Sequence, residues 1–384
     1  MARPGRPLTC APGQLAPSAR QAVQRGPAVV GEGQSRGEER MSDISVVMGT
    51  YNGARYVREQ LESIGRQTVT PCELIVADDG SRDETLEIVA QFGRDAPFPV
   101  RVGVNPTSLG FSENFLRATR RAAGAYVAFA DQDDRWAPRK LELTRAAIDE
   151  HGADLCTHQV NLMDATGQLI GHDDQTITRT QLLPPGVGDP WGKFFGFTML
   201  FRRTLLDLLP EDRRGPDLFD PQTLLSHDRW VYFLASNFGR ICMLDERLAD
   251  YRQHPAQLYG ARRDSLGQRV RVKLAEGPDR LQAMVVMTRQ RSELLAGFEA
   301  AGGDARFRAV AGRYRRLAEL TEMRNDVFQA RRRSARAAVL ARNIRAGVYR
   351  SPRRGGLGPE RMVEDLVMGV RASTVVPVDR EPGS

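Results

Sequence analysis

Five acidic residues stand in two tight groups, Asp78-Asp79 and Asp131-Gln132-Asp133-Asp134. Like charges this close repel one another unless a cation or hydrogen-bond donors offset them. Carboxylates packed as densely as Asp131, Asp133 and Asp134 suit a hard divalent cation, Mg²⁺ or Mn²⁺. Such ions take oxygen ligands and commonly share their shell with substrate phosphates. Each group follows a short β-rich run, at residues 74–77 and 126–130. In a doubly wound sheet ligands bind beyond the carboxyl ends of the strands, so acidic groups at two matching ends outweigh the reading as plain solvated turns. The usual phosphate loops are missing. Gly49-x-x-x-Gly53 follows the first strand in place of G-x-G-x-x-G, and no G-x-x-x-x-G-K-[ST] occurs. A metal would then neutralise a diphosphate and stabilise it as a leaving group. The chemistry these residues point to is group transfer from a nucleoside diphosphate.

The elements that must position them follow from periodicity. Strands are predicted at 44–48, 74–77, 100–104 and 126–130. The helix after the first carries Val57, Leu61 and Ile64 on one face, and the next carries Thr85, Ile88, Val89 and Phe92. Ser112 is predicted to cap the helix bearing Phe115 and Leu116, and Pro138 to open a helix running to about residue 150. Strands alternating with helices predict an α/β fold with a parallel sheet covered on both faces. After residue 150 the pattern loosens. A Pro/Gly-rich loop at 184–190 precedes an apolar segment at 194–201, then a helix around 230–234 and strands near 241–244 and 248–251.

Four regions follow: a disordered extension at 1–40, the sheet domain at 41–260, a basic helical region at 261–350 and a flexible tail at 351–384. The first forty residues are rich in Pro, Gly, Arg, Ala and Gln without apolar periodicity, and Met41 is a candidate true start. The formal charge of +7 conceals an asymmetry, because residues 261–384 hold 26 Lys+Arg and 14 Asp+Glu. That excess suggests an anionic partner such as a membrane surface, competing with the reading as a solvated helical face. No nucleic-acid recognition motif accompanies it. No run approaches the ~20 apolar residues of a membrane span. Cys10, Cys72, Cys156 and Cys242 are too scattered for a zinc site or a disulfide framework, which suits a reducing, cytosolic setting.

Spaced motifs carry a family resemblance. Thr50-Tyr51-Asn52-Gly53, Asp78-Asp79-Gly80-Ser81, Asn105 with Leu109-Gly110, and Asp131 to Trp136 with Pro138 and Lys140 resemble family 2 glycosyltransferases of the GT-A fold, in family order. Ser226-His227-Asp228-Arg229-Trp230 and Tyr251-Arg252-Gln253-His254 resemble the bacterial branch that builds surface polysaccharides, often described as rhamnosyltransferase-like. The resemblance implies a Rossmann-like, mostly parallel sheet with a C-terminal helical extension. It implies that Thr50, Tyr51 and Asn52 line the nucleoside pocket, with Asp79 accepting a hydrogen bond from a pyrimidine N–H and Asp78 beside it. It places Asp131 and Asp133 as the D-x-D element holding ribose and metal-bound diphosphate, with Asp134 next to them. Asp228 takes the general-base position, and His254 could reach diphosphate or metal, with Arg252 close by. For His227 and Trp230 a direct role competes with packing. His151, His158 and His172 show no metal-ligand spacing. Two departures, Ser108 where the family commonly has Asn and Pro255-Ala256-Gln257 in place of a Gly-Asn-Asn-like run, fall near expected substrate contacts.

The expected activity is inverting transfer from a UDP- or dTDP-sugar to a glycan or lipid-linked acceptor, with a divalent cation. A non-catalytic nucleotide-sugar or glycan binder and a nucleotidyltransferase are the alternatives. The last would call for a glycine-rich phosphate loop that this chain lacks.

Overall fold

The computed structural model describes residues 42–217, 223–254, 266–301, 304–351 and 355–371. The extension at 1–40, Met41 and the 255–257 run lie outside them. β1 (Ile44–Thr50), α1 (Val57–Gly65), β2 (Glu73–Asp78), α2 (Thr85–Asp95), β3 (Val100–Val104), α3 (Phe111–Thr119) and β4 (Tyr126–Asp131) follow the expected alternation. Next come β5 (Arg135–Trp136), α4 (Lys140–His151), β6 (Leu155–Met163), β7 (Leu169–Asp173), β8 (Gln181–Leu183), β9 (Leu200–Arg202), α5 (His227–Phe238) and β10 (Ile241–Arg252). The helices α6 (Leu266–Ala300), α7 (Arg306–Gln329), α8 (Arg333–Arg345) and α9 (Pro359–Glu364) follow, and a π-helical segment (Asp365–Arg371) ends the described chain.

One mixed sheet runs β3-β2-β1-β4-β9-β6-β10-β5. Its first four strands are parallel, β9 is antiparallel to both β4 and β6, and β6 and β10 are again parallel. Side-chain alternation divides the core as a strand period of two requires. Val46 and Met48 face α1, α2 and α4 with Leu61, Val89 and Ile148. Val47 and Phe129 face α3 and α5 with Phe115 and Val231. A third cluster joins the far side of α5 to α7 through Trp230, Phe233, Leu295, Phe307 and Tyr314.

The structure corrects several expectations. Gly110, not Ser112, precedes α3, and its φ of 77° is a left-handed conformation that glycine adopts without strain. The apolar segment at 194–201 is a 3-10 turn (Gly196–Thr198) followed by the short β9. The two strands expected at 241–251 are one, β10, whose exposed Asp245, Glu246 and Arg247 sit at shifts in its register with β6. Such irregularities break the alternation that marks a strand in sequence. Part of the tail is ordered. Asp365 is fully buried, pairing with the Arg324 guanidinium and accepting from the Tyr349 hydroxyl at 2.7 Å.

Candidate active site

Register brings the acidic ends together. Thr50 lies opposite Asp78 and Gly49 opposite Asp131, so the ends of β1, β2 and β4 are level along one edge of the sheet. The Thr50 hydroxyl donates to Asp78 Oδ2 at 2.8 Å, and the Gly80 and Ser81 amides donate to its Oδ1. Asp78 is fully buried and thus shapes the turn that carries its neighbour. Asp79 accepts four hydrogen bonds, from Asn105 Nδ2 (2.9 Å), Ser108 Oγ (2.7 Å), Leu109 N (2.7 Å) and Gly110 N (3.0 Å). Burial pushes its carboxyl up, and these donors outweigh burial and hold it below the usual range. They fill the roughly four lone-pair positions of a carboxylate. A nucleobase N–H reaching Asp79 must therefore displace or share one of them.

Tyr51 is 56% exposed, while its backbone is clamped on both sides by Gln132, which accepts from Tyr51 N (2.9 Å) and donates to Tyr51 O (3.0 Å). Asn52 accepts from Arg82 N and its own amide donates to Ser81 Oγ, joining the β1 turn to the β2 turn. The D-x-D element is thereby tied to the turn expected to hold the nucleoside.

Charge is concentrated at the β4 end. The Asp131 carboxyl is pushed up to about 8, first by burial and then by Asp133 and Asp228, against the pull of Lys140. Asp134 is fully buried and raised well above the usual range by burial and then by Asp133 and Asp131. Its Oδ1 accepts from Arg252 N at 3.0 Å, and Oδ2 has no hydrogen-bond partner among the described residues. His254 Nε2 lies 2.8 Å from Asp133 Oδ2, with its ring 5.0 Å from that of Tyr56. Arg252 acts as a clamp, donating to Asp133 O at 2.8 Å and pairing with Glu59, its guanidinium 4.6 Å from the Tyr56 ring.

This donor set fits a hard divalent cation, since burial and then the charges of Asp133 and Asp228 drive the Asp131 carboxyl up, and a cation would relieve that crowding. Among the described residues no three His, Cys, Asp or Glu side chains form a ready cage. Asp131 and Asp133 would hold the ion together with substrate oxygens, and His254 stands in contact with one of them.

The helix α5 begins at His227, where Ser226 Oγ and Arg229 N donate to Asp228 Oδ1. Gly196 packs against this turn. A Cβ added there would lie 2.8 Å from His227 Nε2 and 3.2 Å from Asp228 Cβ. Gly196→Ala is therefore expected to shift Asp228 and lower kcat about 10- to 100-fold. Nucleotide affinity, measured by calorimetry, should stay unchanged; an unaltered kcat would show that this contact does not position Asp228.

His227 turns into the core. Its ring stacks on Phe115 at 4.2 Å and meets Phe129 edge-on at 4.9 Å, and neither nitrogen has a hydrogen-bond partner among the described residues. Burial lowers its pKa to about 4, opposed by Asp228 and aided by Arg214. The unfolded chain, with an ordinary histidine near 6.5, binds the proton first, so stability is present above that pH and lost as pH falls towards 4. His227→Met keeps the volume and removes this linkage. The difference in urea-unfolding free energy between the two proteins should shift by about 2 kcal/mol in the variant's favour from pH 7 to pH 5. A pH-independent difference would mean the imidazole is not buried neutral. Trp230 is fully buried and stacked on Phe233 at 5.4 Å, which makes it a packing residue and not a wall of the cleft.

Sequence reasoning gave no role to Lys140, Gln132 or Glu59. Lys140 is fully buried, 3.4 Å above the Trp136 ring, and its Nζ donates to Phe197 O. Burial lowers its pKa well below the usual range against the pull of Asp134 and Asp131. A signal existed: this chain has 55 Lys+Arg, of which only Lys140, Lys193 and Lys273 are lysines.

Comparison with known proteins agrees with this geometry. Residues 45–208 match the family described as Glycosyl transferase family 2. EpsE of Bacillus subtilis (strain 168), assigned as a glycosyltransferase, is 35% identical over 205 residues, covering 51% of this chain and 68% of EpsE. An uncharacterised protein of Mycobacterium tuberculosis (strain ATCC 25618 / H37Rv) is 29% identical over 216 residues, 55% of this chain and 59% of that protein. The chain thus spans about three fifths of that relative's length. The crystal structure of S. aureus TarS 1-349 in complex with UDP-GlcNAc shares the fold, with a TM-score of 0.51 at 20% identity over 85% of this chain and 88% of that one. A GT-A type sheet, motifs at the carboxyl ends of its strands and the match to EpsE converge on one conclusion: the chain belongs to glycosyl transferase family 2.

Proposed function

We propose that the cleft performs inverting transfer of a sugar from a UDP- or dTDP-sugar to a hydroxyl of a surface glycan or lipid-linked acceptor. The observation that carries this is electrostatic: Asp228, on α5, is near enough to raise the Asp131 carboxyl at the end of β4. The acidic pair at the end of β4 and the separate carboxylate at the start of α5 thus share one electrostatic field.

The roles follow from that division. Thr50, Tyr51 and Asn52 line the nucleoside site, and the loop pinned by Asp79 closes it. Asp131 and Asp133 would hold Mg²⁺ or Mn²⁺, and the ion would supply Lewis-acid stabilisation of the leaving diphosphate. Asp228 takes the proton from the acceptor hydroxyl. The oxygen attacks the anomeric carbon as the bond to the diphosphate breaks, and the nucleoside diphosphate leaves with the electron pair. A general base must stand within hydrogen-bond reach of that hydroxyl, and the N-terminal turn of α5 holds Asp228 in place for it. No second acid is required, because the diphosphate is already a good leaving group.

A screen of nucleotide sugars with glycan and lipid-linked acceptors and Mn²⁺, reading release of UDP or dTDP, tests this. Release on adding one donor–acceptor pair is the expected result. Nucleotide binding without turnover across the panel would instead favour the non-catalytic reading, and pyrophosphate release from a nucleoside triphosphate the nucleotidyltransferase.

We also propose cytoplasmic placement, with peripheral contact to an anionic membrane through the basic helices. Among the described residues no helix is long and apolar enough to cross a membrane. Several of these arginines are already paired, as in Arg289–Glu322 and Arg342–Asp326, while Val363 and Val367 are exposed nearby in sequence. Co-sedimentation with anionic vesicles should be strong at low salt and fall at about 0.5 M salt. Sedimentation indifferent to salt and lipid charge would end this proposal.

A further inference from the structure

The chain enters α5 through a narrow neck. Leu225 N donates to Gly215 O at 2.8 Å, and a β-bridge joins Pro216 to Leu224. At the base of this neck stands Arg214, only 3% exposed. Its guanidinium reaches three separate stretches of chain. Nε donates to Leu225 O at 2.6 Å, Nη1 to Glu211 O at 2.7 Å, and Nη2 to the Glu113 carboxylate on α3. Each nitrogen thus serves a different segment, which the planar fork of arginine allows and the single ammonium of lysine does not. A second pair, Arg120 with Glu211, ties the same segment to α3.

Both ends of this arrangement lead to the site. Asp228 follows Leu225 within one turn, and Ser226 Oγ and Arg229 N hold its Oδ1. The first turn of a helix is the part least held by the helix's own hydrogen bonds, so whatever grips the chain leading into it sets its place. At the other end Asn114, next to Glu113 on α3, donates to Ala77 O at 2.7 Å and accepts from Asn105 Nδ2 at 2.8 Å. Asn105 also donates to Asp79, as do Leu109 N and Gly110 N just before α3. Adjacent residues of one helix therefore hold the nucleotide loop and the approach to Asp228.

Stability alone does not call for a cation here. Apolar side chains of similar volume often stabilise a fold as well as a buried ion pair does, whereas charged hydrogen bonds fix one geometry. Arg214 is also near enough to His227, the first residue of α5, to disfavour its protonation. Its charge is thus felt at the turn that carries Asp228. We propose that Arg214 is a positioning residue for sugar transfer: it fixes the entry of α5, and with it Asp228, relative to the nucleotide loop held by α3. This rests on the glycosyl-transfer reading above, in which Asp228 is the base.

The test uses the full chain in single-turnover transfer with the donor and acceptor that the screen above identifies. Arg214→Met should lower the transfer rate about 30-fold and leave UDP affinity, by calorimetry, within about twofold. Arg214→Lys should recover part of the loss, and Glu113→Gln should lower the rate about threefold. In the Asp228→Asn background Arg214→Met should cost no more than about twofold, because a residue that acts through Asp228 then has no base left to place. Losses that multiply in the double variant would overturn the proposal, as would a full rate in Arg214→Met. Hydrogen exchange needs no turnover. Amides of residues 225–230 should exchange about tenfold faster in Arg214→Met, with those of β1, β2 and β4 unchanged. Unaltered exchange at 225–230, or equal acceleration throughout the chain, would also overturn it. If Arg214→Met does not fold, Arg214→Lys takes its place in each comparison with wild type. Absence of turnover in wild type would count against the glycosyl-transfer reading, and the exchange comparison would still decide whether Arg214 holds the entry of α5.

Discussion

Asp228→Asn is expected to lower kcat for sugar transfer about 10³-fold and to leave nucleotide affinity within about twofold. Asparagine keeps the shape and can still accept from Ser226 Oγ and Arg229 N, the two donors that hold Asp228 Oδ1. What it loses is the ability to take a proton. The loss should therefore fall on kcat, because ground-state binding of donor and acceptor does not need the base. Single-turnover rates with saturating donor measure this directly. A variant as fast as wild type would remove Asp228 from the reaction.

Chelation of divalent metal is expected to cut transfer by about 10³-fold, with recovery on adding Mn²⁺, and Asp133→Ala should lose a similar factor without recovery. The Asp133 variant also has a readout that needs no activity. Asp133 is one of the two neighbouring charges that raise the Asp131 carboxyl to about 8. Its removal in metal-free protein should bring that carboxyl down, which carbon NMR of labelled aspartate would follow. An unmoved Asp131 titration would mean that the two carboxylates do not share one field. Full activity in chelator would separate the D-x-D element from any metal.

Much of this site was legible because its residues obey local rules. β2 and β4 pair on either side of β1, so Asp78 and Asp131 come to strand ends that flank the end of β1. The parallel half of the sheet was legible for the same reason: Val57, Leu61 and Ile64 mark α1 by spacing alone. The second half was not. β6 buries Thr157, His158 and Gln159, and two of these bond to distant partners, Thr157 to Thr198 at 2.8 Å and Gln159 to Ile177 O at 2.7 Å. A strand built on such long-range bonds leaves no apolar run to read. Lys140 escaped because charge in sequence signals surface, whereas here two buried carboxylates and an aromatic ring surround it. Trp230 was ambiguous because two residues from Asp228 along a helix point in different directions, and only the packing of α7 on α5 shows which side is core.

The anomeric configuration of the product is the most direct check on the central claim, a single displacement with Asp228 as base. With an α-configured donor sugar, proton NMR of the isolated glycoside should show the β linkage. An α-linked product would mean that configuration is retained, and would contradict the account.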